Sequence, residues 1–359
     1  MANAARILAW PGAPLALASA ALFGASTPLA KALLGGGVNP WLLAGLLYIG
    51  SGAGLAVVHL GGRVVGRQSA EARLVGRDWG WMALVVLAGG IAGPLLLMLG
   101  LASTPASSAA LFLNLEGLAT MAIAWLVFRE NVDWRLLLGA AAILAGAAIL
   151  SWRGGGAVGV GLGPLLIAGA CLAWGVDNNL TRKLSASDPV QIAMLKGLAA
   201  GAVNLSLALA SGATLPAAPL IAGATLVGFF GYGVSLVLFV LALRHLGTAR
   251  TGAYFSTAPF IGAGLSLSIF GEPLTARLAV VALLMGLGVW LHLSERHDHE
   301  HTHEALDHEH RHVHDKHHRH AHGPSDPPGE PHTHRHRHAP MRHKHPHYPD
   351  LHHRHGHAH

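Results

Sequence analysis

The chain has 359 residues, of which 52% are hydrophobic and only 12% are charged, and its formal net charge is +6 with neutral histidines. The charged fraction is about half of that in soluble domains, which excludes an ordinary water-soluble protein. A single cysteine, Cys171, allows no disulfide framework, and no Gly-rich loop ends in Gly-Lys-Ser/Thr, so the sequence contains no P-loop for binding ATP.

Apolar runs of about 20 residues fill most of the chain, five in residues 13–152 and five in residues 163–293. At about 1.5 Å of rise per residue, such a run crosses the hydrocarbon core of a bilayer. We therefore predict an all-α integral membrane protein with ten transmembrane helices. The first run is longer than the apolar core of a signal peptide, so we expect it to be retained. The predicted spans are 13–34, 40–60, 79–101, 105–128, 134–152, 163–184, 189–210, 219–243, 248–270 and 276–293.

The two groups of five runs are copies of each other. An odd number of spans in each copy turns the second copy upside down in the bilayer, and inverted repeats of this kind are typical of secondary transporters. We therefore divide the chain into a first five-helix repeat (1–152), a second, inverted repeat (153–296) and a tail (297–359). The matching positions, at offsets of 151, 149 and 142, are Phe23-Gly24 with Trp174-Gly175, Asn39-Pro40 with Asp188-Pro189, and Leu101, Phe128 and Glu130 with Leu243, Phe270 and Glu272.

Basic residues between the spans indicate the orientation of the helices. If the N-terminus is cytoplasmic, the inner segments hold twelve Lys and Arg residues and the outer segments hold three, Lys31, Arg153 and Arg277. This asymmetry follows the positive-inside rule and predicts that both termini are cytoplasmic, in a cell membrane of the bacterial inner-membrane type. The basic residues orient helices, and nothing in their pattern indicates binding to nucleic acid.

Four motifs resemble those of a known family. They are the Leu-Phe-Gly-Ala-Ser-Thr-Pro stretch at 22–28, Leu115-Glu116-Gly117, the Tyr-Phe-Ser-Thr-Ala-Pro stretch at 254–259, and Phe270-Gly271-Glu272-Pro273. With two five-helix halves, they resemble the drug/metabolite transporter superfamily and its EamA-type permeases. The resemblance implies a non-enzymatic secondary carrier, usually an exporter of a small solute and often exchanging with protons. The chain departs from the family pattern at Gly117, where a proline is common, and at Ala258, where an acid can occur.

Glu116 and Asn114 are site candidates in the fourth span. Burying a charged side chain in the middle of a membrane costs several kcal/mol of free energy. Such a residue is therefore expected to have a binding partner or a function in transport. Glu116 lies near the middle of its span, which leaves two interpretations open. It is either a carboxylate that binds a proton or a cation, or a structural acid satisfied by a hydrogen bond to a neighbouring helix.

Asp177 and Lys196 form the second candidate group. Each lies seven residues from its end of the short 185–188 connection, so on antiparallel helices the two are predicted to lie at equal depth and to pair. A structural ion pair and a gate or substrate clamp both stay open. Asn178, Asn179 and Asn204 are candidates for amide hydrogen bonds along the same wall. For three aromatic residues, a lining role and an interfacial or packing role both stay open: Trp174, Tyr232 and Tyr254.

The tail holds 24 of the 27 histidines, largely in alternating His-x-His order, and has almost no apolar residues. It cannot bury a core and is predicted to be disordered. Neutral imidazoles beside carboxylates suit Zn²⁺, Ni²⁺, Co²⁺ or Cu²⁺, so we expect metal binding at the acidic first cluster and weaker binding at the basic second cluster, 332–359. The metal candidates are His297, His299, His301, His303, His308, His310, His312 and His314.

Two function classes follow. The leading one is a carrier of a small organic metabolite or drug-like solute in the lipid bilayer, without a required cofactor, with the tail as a metal-binding appendage. The alternative is a transition-metal permease that uses the tail as chelator or sensor, although its spans lack ligand clusters. A membrane scaffold or receptor is a third class, which would not need buried charges in paired halves. Homodimer formation stays open.

Overall fold

The structure is a computed structural model. It describes residues 12–64, 74, 76, 78–128, 134–152, 161–184, 187–293, 298–303, 306–312, 332–338 and 341–346. Its helices are α1 (Gly12–Gly35), α2 (Pro40–Val64), α3 (Asp78–Val85), α4 (Gly93–Ala102), α5 (Ala106–Phe112), α6 (Asn114–Phe128), α7 (Trp134–Ser151), α8 (Leu162–Leu184), α9 (Pro189–Ala210), α10 (Ala218–Gly228), α11 (Ser235–Phe255), α12 (Ala258–Phe270) and α13 (Ala276–Leu293). Two π-helical segments join them, Val86–Ala92 between α3 and α4 and Phe229–Val234 between α10 and α11.

The predicted apolar runs are mostly helical within the described residues, with breaks at Leu113 and at 256–257, and seven helical stretches there are long and apolar enough to cross a membrane. α12 and α13 are apolar but shorter, and α8 is not among the seven. α8 carries Asp177, Asn178 and Asn179, which lower its hydropathy. The chain is therefore a helical, multi-pass membrane protein.

The boundary predicted between the eighth and ninth spans is wrong. Residues 218–255 are continuously helical, so no turn interrupts the helix at 244–247. In the first copy the chain turns at 103–105, where Pro105 precedes α5. Proline lacks the N–H that a helix interior needs, and the second copy has Gly247 at the matching position. The second copy therefore has no helix-stopping residue there, and its helix continues to the break at 256–257, which corresponds to the break at Leu113 in the first copy.

Two helices begin at equivalent, capped positions. The Asn39 side chain accepts hydrogen bonds from the backbone N–H groups of the two residues after Pro40, at 2.9 and 3.2 Å. Asp188 does the same before α9, with Val190 and Gln191 at 2.9 and 3.3 Å. An Asn or Asp cap followed by proline is a strong helix start, because the cap satisfies orphan N–H groups and proline has none to satisfy. The duplication thus extends to these caps.

The packing of the helices is symmetric between the two copies. α2 packs against α9 and α7 against α13, which are pairs of equivalent helices. α8 packs against α4 and α6, and correspondingly α1 packs against α11 and α12. Exchanging the copies therefore reproduces these contacts, although within the described residues α5 also packs against α12 without a matching contact between α6 and α11. α1, α2, α8 and α9 lie where the copies meet.

Glycines let α2 and α9 approach closely. A Cβ atom on Gly52 would lie 2.3 Å from the backbone nitrogen of Leu198, and one on Gly197 would lie 2.5 Å from that of Gly52. A Cβ on Gly201 would lie 2.5 Å from the nitrogen of Ile49. Backbone against backbone leaves no flexible side chain to move aside. Small residues at this interface therefore fix the spacing of the two copies.

The tail contains four short strands, β1 (Asp298–His303), β2 (Leu306–His312), β3 (His332–His338) and β4 (Met341–Pro346). β1 pairs with β4 and β2 with β3, both antiparallel. The structure thus differs from the predicted disorder over these segments. The His-x-His alternation has the period of a strand, and the register sets acidic positions of the first cluster opposite basic positions of the second, such as Glu300 opposite Lys344 and Asp307 opposite Arg337.

The close contact between α2 and α9 yields a stability prediction. Gly52→Ala should lower the free energy of unfolding by about 1–3 kcal/mol, because the added methyl group forces two backbones apart. Gly264→Ala is the matched control, since nothing lies within 4 Å of a Cβ at that position. Thermal unfolding of the detergent-purified proteins measures both. Equal unfolding temperatures for the two variants would show that the α2–α9 contact is looser than described.

Candidate functional site

The π-helical segment Val86–Ala92 lies at the centre of the candidate site. In a π-turn some backbone carbonyl groups do not accept the usual hydrogen bond within the helix, and such turns are frequent at functional sites. The carbonyl of Gly89 accepts two side-chain hydrogen bonds, from the Tyr48 hydroxyl at 2.7 Å and from the indole N–H of Trp174 at 3.0 Å. The carbonyl of Gly90 accepts one from the Asn204 side chain at 3.1 Å. The segment thereby links α2, α8 and α9.

Gly89 also provides the space that Asp177 occupies. A Cβ atom on Gly89 would lie 2.1 Å from the carboxyl carbon of Asp177, so no other residue fits without moving the carboxylate. Gly93, one turn further on, likewise faces the indole of Trp174, whose Nε1 would lie 2.6 Å from an added Cβ. The two glycines therefore set how closely α8 packs on the third span.

Asp177 and Lys196 form a buried ion pair, which confirms the predicted contact. The Lys196 ammonium donates to Oδ2 of Asp177, and the two side chains are only 6% and 7% exposed. Thr181 donates to the second carboxylate oxygen at 3.2 Å. Removing one member of such a pair strands the other charge in a low dielectric. The pair therefore ties α8 to α9 next to the π-turn.

Glu116 lies beside this pair on α6, which begins only two residues earlier because the fourth span breaks at Leu113. The Asn178 side chain donates to the Glu116 carboxylate at 2.9 Å and to the Thr120 hydroxyl at 3.2 Å. Asn179 donates to the carbonyls of Thr120 and Gly175 at 3.1 and 2.8 Å. Both asparagines thus join α8 to α6. The positive end of the α6 dipole favours a negative charge on Glu116.

Five aromatic rings form the opposite wall of the site. We call them the aromatic cluster: Phe23, Tyr48, Trp174, Tyr232 and Phe255. The Phe23 ring lies 5.9 Å from Trp174, 5.8 Å from Tyr232 and 5.3 Å from Phe255, between ring centres. Tyr48 and Tyr232 are 5.4 Å apart. Both copies contribute rings, and the equivalent residues Phe23 and Trp174 touch each other edge to face, so the cluster lies between the copies.

Two buried polar atoms of the site lack a partner within hydrogen-bond geometry among the described protein atoms. They are the Tyr232 hydroxyl oxygen and the side-chain oxygen of Asn204. The Tyr232 hydroxyl lies near Ser26, which donates its own proton to the carbonyl of Phe23 and offers Tyr232 only a weak acceptor. Buried polar groups are nearly always paired, so such a group calls for an explanation, of which a bound water or solute is one.

Two predicted site residues lie elsewhere. Asn114 donates to the carbonyl of Leu111 at 2.9 Å and approaches the sulfur of Met285 on α13, away from the aromatic cluster. Tyr254 packs, half-buried, on a separate small cluster with Ala16 and Leu246. These contacts do not join Asn114 or Tyr254 to Glu116 and Asp177, and Tyr254 has the packing role that the sequence left open.

The predicted metal ligands fall mostly on the strands of the tail. Six of them, between His299 and His312, lie on β1 and β2, while His297 and His314 lie outside the described residues. Within the described part of the chain, no group of three or more His, Cys, Asp or Glu side chains is placed to hold a metal ion.

Sequence reasoning missed Phe23, Tyr48 and Phe255 and the role of Gly89. Aromatic residues in an apolar span carry no signal of their own, because each is equally at home in the core or facing lipid. The available signal was the pair Gly89-Gly90 and its counterpart Gly231-Tyr232-Gly233, which fall in the two π-segments.

The buried pair gives a double-mutant prediction. Asp177→Asn alone should cost about 3–5 kcal/mol of stability, because it leaves the Lys196 ammonium unpaired in a low dielectric. The double variant Asp177→Asn with Lys196→Gln should recover much of that loss, since no charge remains. Thermal unfolding and the amount inserted in membranes measure both variants. Losses that simply add would show that the two side chains do not interact.

Known proteins similar to this chain agree with the geometry. The model of the EamA-like transporter family matches residues 10–152 and again residues 161–294. An uncharacterized transporter of Methanothermobacter thermautotrophicus is 29% identical over 286 residues, covering 75% of this chain and 82% of that protein. A protein of known crystal structure shares the fold, with a TM-score of 0.59 at 21% identity, over 79% of this chain and 96% of its own. The chain belongs to the EamA-like transporter family and is a multi-pass membrane transporter.

Proposed function

We propose that the protein is a secondary carrier, working as an exporter, for a small organic metabolite or drug-like solute. The observation that carries the proposal is the site between the two copies, where an ion pair, a carboxylate and unpaired polar atoms face an aromatic cluster. Carriers built from repeats bind their solutes at such a place, near the middle of the membrane. The mixed walls suit a solute with a flat apolar part and a polar group.

Alternating access is the mechanism that the symmetry supports. In the arrangement predicted from the sequence, with ten spans and both termini cytoplasmic, the second copy would be inverted relative to the first, and two equivalent arrangements of the copies would expose the site to opposite sides. Equivalent helices of the two copies pack against each other, α2 against α9 and α7 against α13, which supports this mechanism. The Pro28 ring inside α1 and the π-segments provide places where these helices bend.

Glu116 is the residue that we propose for proton coupling. Its carboxylate oxygen accepts a hydrogen bond from Asn178, so a proton arriving on that oxygen would release the amide and loosen α6 from α8. Asp177 already has Lys196 and Thr181 as partners, which leaves Glu116 as the acid of the site without a cationic partner among the described residues. Solute and proton would then exchange at one site.

The tail is proposed to be a metal-binding regulatory appendage for Zn²⁺, Ni²⁺, Co²⁺ or Cu²⁺. Imidazoles at alternate positions of paired strands bring many ligands of the preferred type into one segment. Transport itself requires no cofactor in this proposal. The metal-permease alternative receives no support, because the described spans hold no metal-binding cluster.

The transport proposal can be tested before the solute is identified. Cells that express the protein should enrich one or a few small metabolites in the medium, and Glu116→Gln should reduce that enrichment at least about tenfold at equal membrane abundance. Ser268→Ala, an exposed position on α12, is the control and should leave the profile unchanged. An enrichment that persists in Glu116→Gln would make this carboxylate structural, and no enrichment in any strain would contradict export.

The proposed tail function has a separate readout. Zn²⁺ should bind the purified full-length protein, and occupancy should fall as pH drops through about 6.5, because the imidazoles must be neutral to coordinate. A chain that ends at residue 296 should lose this binding and still export the metabolite. Unchanged zinc binding after the truncation would place the metal site elsewhere in the chain.

A further inference from the structure

Three charged side chains bind helix ends at one end of the bundle. They are Lys31, near the end of α1, Glu272, in the turn between α12 and α13, and Arg277, in the first turn of α13. Helix ends leave unsatisfied N–H and carbonyl groups, so an anion at an N-terminus and a cation at a C-terminus are favourable. Each of the three charges matches the helix end that it contacts.

Glu272 binds the first copy through both carboxylate oxygens. The backbone N–H groups of Ala106 and Ser107 donate to them at 2.9 and 3.2 Å, and the Ser107 hydroxyl donates as well. Glu272 belongs to the second copy, whereas α5 begins at Ala106 in the first copy. Its carboxylate therefore bridges the copies at this end.

Arg277 makes a second bridge between the copies. Its guanidinium donates from Nε to the carbonyl of Ile149 and from Nη2 to that of Leu150, both at 2.9 Å, and also to that of Trp152. These carbonyls form the C-terminal end of α7. Lys31 binds the C-terminal end of α4 in the same way, but within the first copy. Its ammonium group donates to the carbonyl of Leu101 at 2.6 Å and to that of Thr104 at 2.9 Å.

A cleft of about 430 Å³ lies beside these bridges and is lined by Glu272, Arg277 and several hydroxyl side chains, among them Ser108 and Thr104. The Thr104 hydroxyl is buried without a hydrogen-bond partner among the described protein atoms. The cleft therefore reaches the seam between the copies at the point where the two bridges cross it.

The duplication gives Arg277 a counterpart at Arg135, which occupies the same second position of its helix, α7, as Arg277 does in α13. Arg135 lies over the ring of the adjacent Trp134, with 5.7 Å between the guanidinium carbon and the ring centre. No hydrogen bond from Arg135 to a helix end is formed within the described part of the chain. The counterpart of Glu272 is Glu130, which lies outside the described residues. The two equivalent arginines thus have different partners.

We propose that Glu272 and Arg277 form a latch that holds this end of the carrier closed, and that Arg135 makes the matching contact with the end of α13 when the opposite end closes. The inference rests on the alternating access proposed above. Because the latch bonds exist only in one arrangement of the copies, removing them shifts the population toward the other arrangement. Substituting Arg277 and substituting Arg135 should therefore change the accessibility of this end of the bundle in opposite directions.

The test uses the alkylation rate of a single cysteine at Ser108, in the full-length protein with Cys171→Ala, by membrane-permeant N-ethylmaleimide in native membranes. Arg277→Gln and Glu272→Gln should each raise the rate about fivefold, and Arg135→Gln should lower it by a similar factor. Arg277→Lys should restore part of the original rate, because Lys31 shows that an ammonium group also binds a helix end here.

The alkylation measurement requires no solute, so its result does not depend on the result of the export experiment. Thermal unfolding of each variant identifies any that is misfolded, and Arg277→Lys and Glu272→Gln keep the test valid if Arg277→Gln does not fold. Equal rates in all variants, or a shift in the same direction for Arg277→Gln and Arg135→Gln, would overturn the latch.

Discussion

The π-turn at Gly89 is the constraint on which the rest of the site depends. Its carbonyl accepts hydrogen bonds from Tyr48 and Trp174, which belong to different copies, and its missing side chain leaves room for the Asp177 carboxylate. A regular α-helix would direct that carbonyl along its own axis, and any side chain would displace the ion pair. Ion pair, aromatic cluster and helix spacing therefore depend on one backbone irregularity.

The two copies share a fold but differ in chemistry. The second copy places Asp177 and Asn178 on α8, whereas α1 has Ser26 and Thr27 at the matching positions. Ala258 is the counterpart of Glu116, and a Cβ on the neighbouring Gly24 would lie 2.4 Å from the Ala258 carbonyl. α1 and α12 are thus too close for a second acid. The charge of the site lies on one side and its aromatic surface on the other.

Much of the architecture was predictable from the sequence, because hydrophobicity and spacing determine it. Apolar runs predicted the helices, including the starts at residues 40 and 189, and equal distances from a short turn placed Asp177 opposite Lys196. Each of these inferences uses local geometry within one helix or one hairpin, which the sequence encodes directly.

The remaining features depend on contacts between distant segments. Tyr48 and Phe255 join the site only through packing of helices from both copies, and Asn114 and Tyr254 are directed away from it by helix rotation that hydropathy does not report. The π-segments and the long helix through 244–247 depend on which backbone hydrogen bonds form locally. The spacing of apolar residues and the amino-acid composition do not determine that choice. In the tail, composition predicted disorder, whereas the strand register sets acidic positions of one half opposite basic positions of the other, a match that composition alone does not reveal.

The central claim is that the buried, unpaired polar atoms beside the π-turns form hydrogen bonds with the solute when it binds. Binding of the exported metabolite to purified wild-type protein and Tyr232→Phe, each with its unfolding temperature in the absence of solute, tests it most directly. The Tyr232 hydroxyl is at most weakly bound to Ser26, so its loss should leave the solute-free protein about as stable as before and should weaken solute binding about tenfold. Lower stability with unchanged affinity would show that this hydroxyl serves the fold and that the solute binds elsewhere.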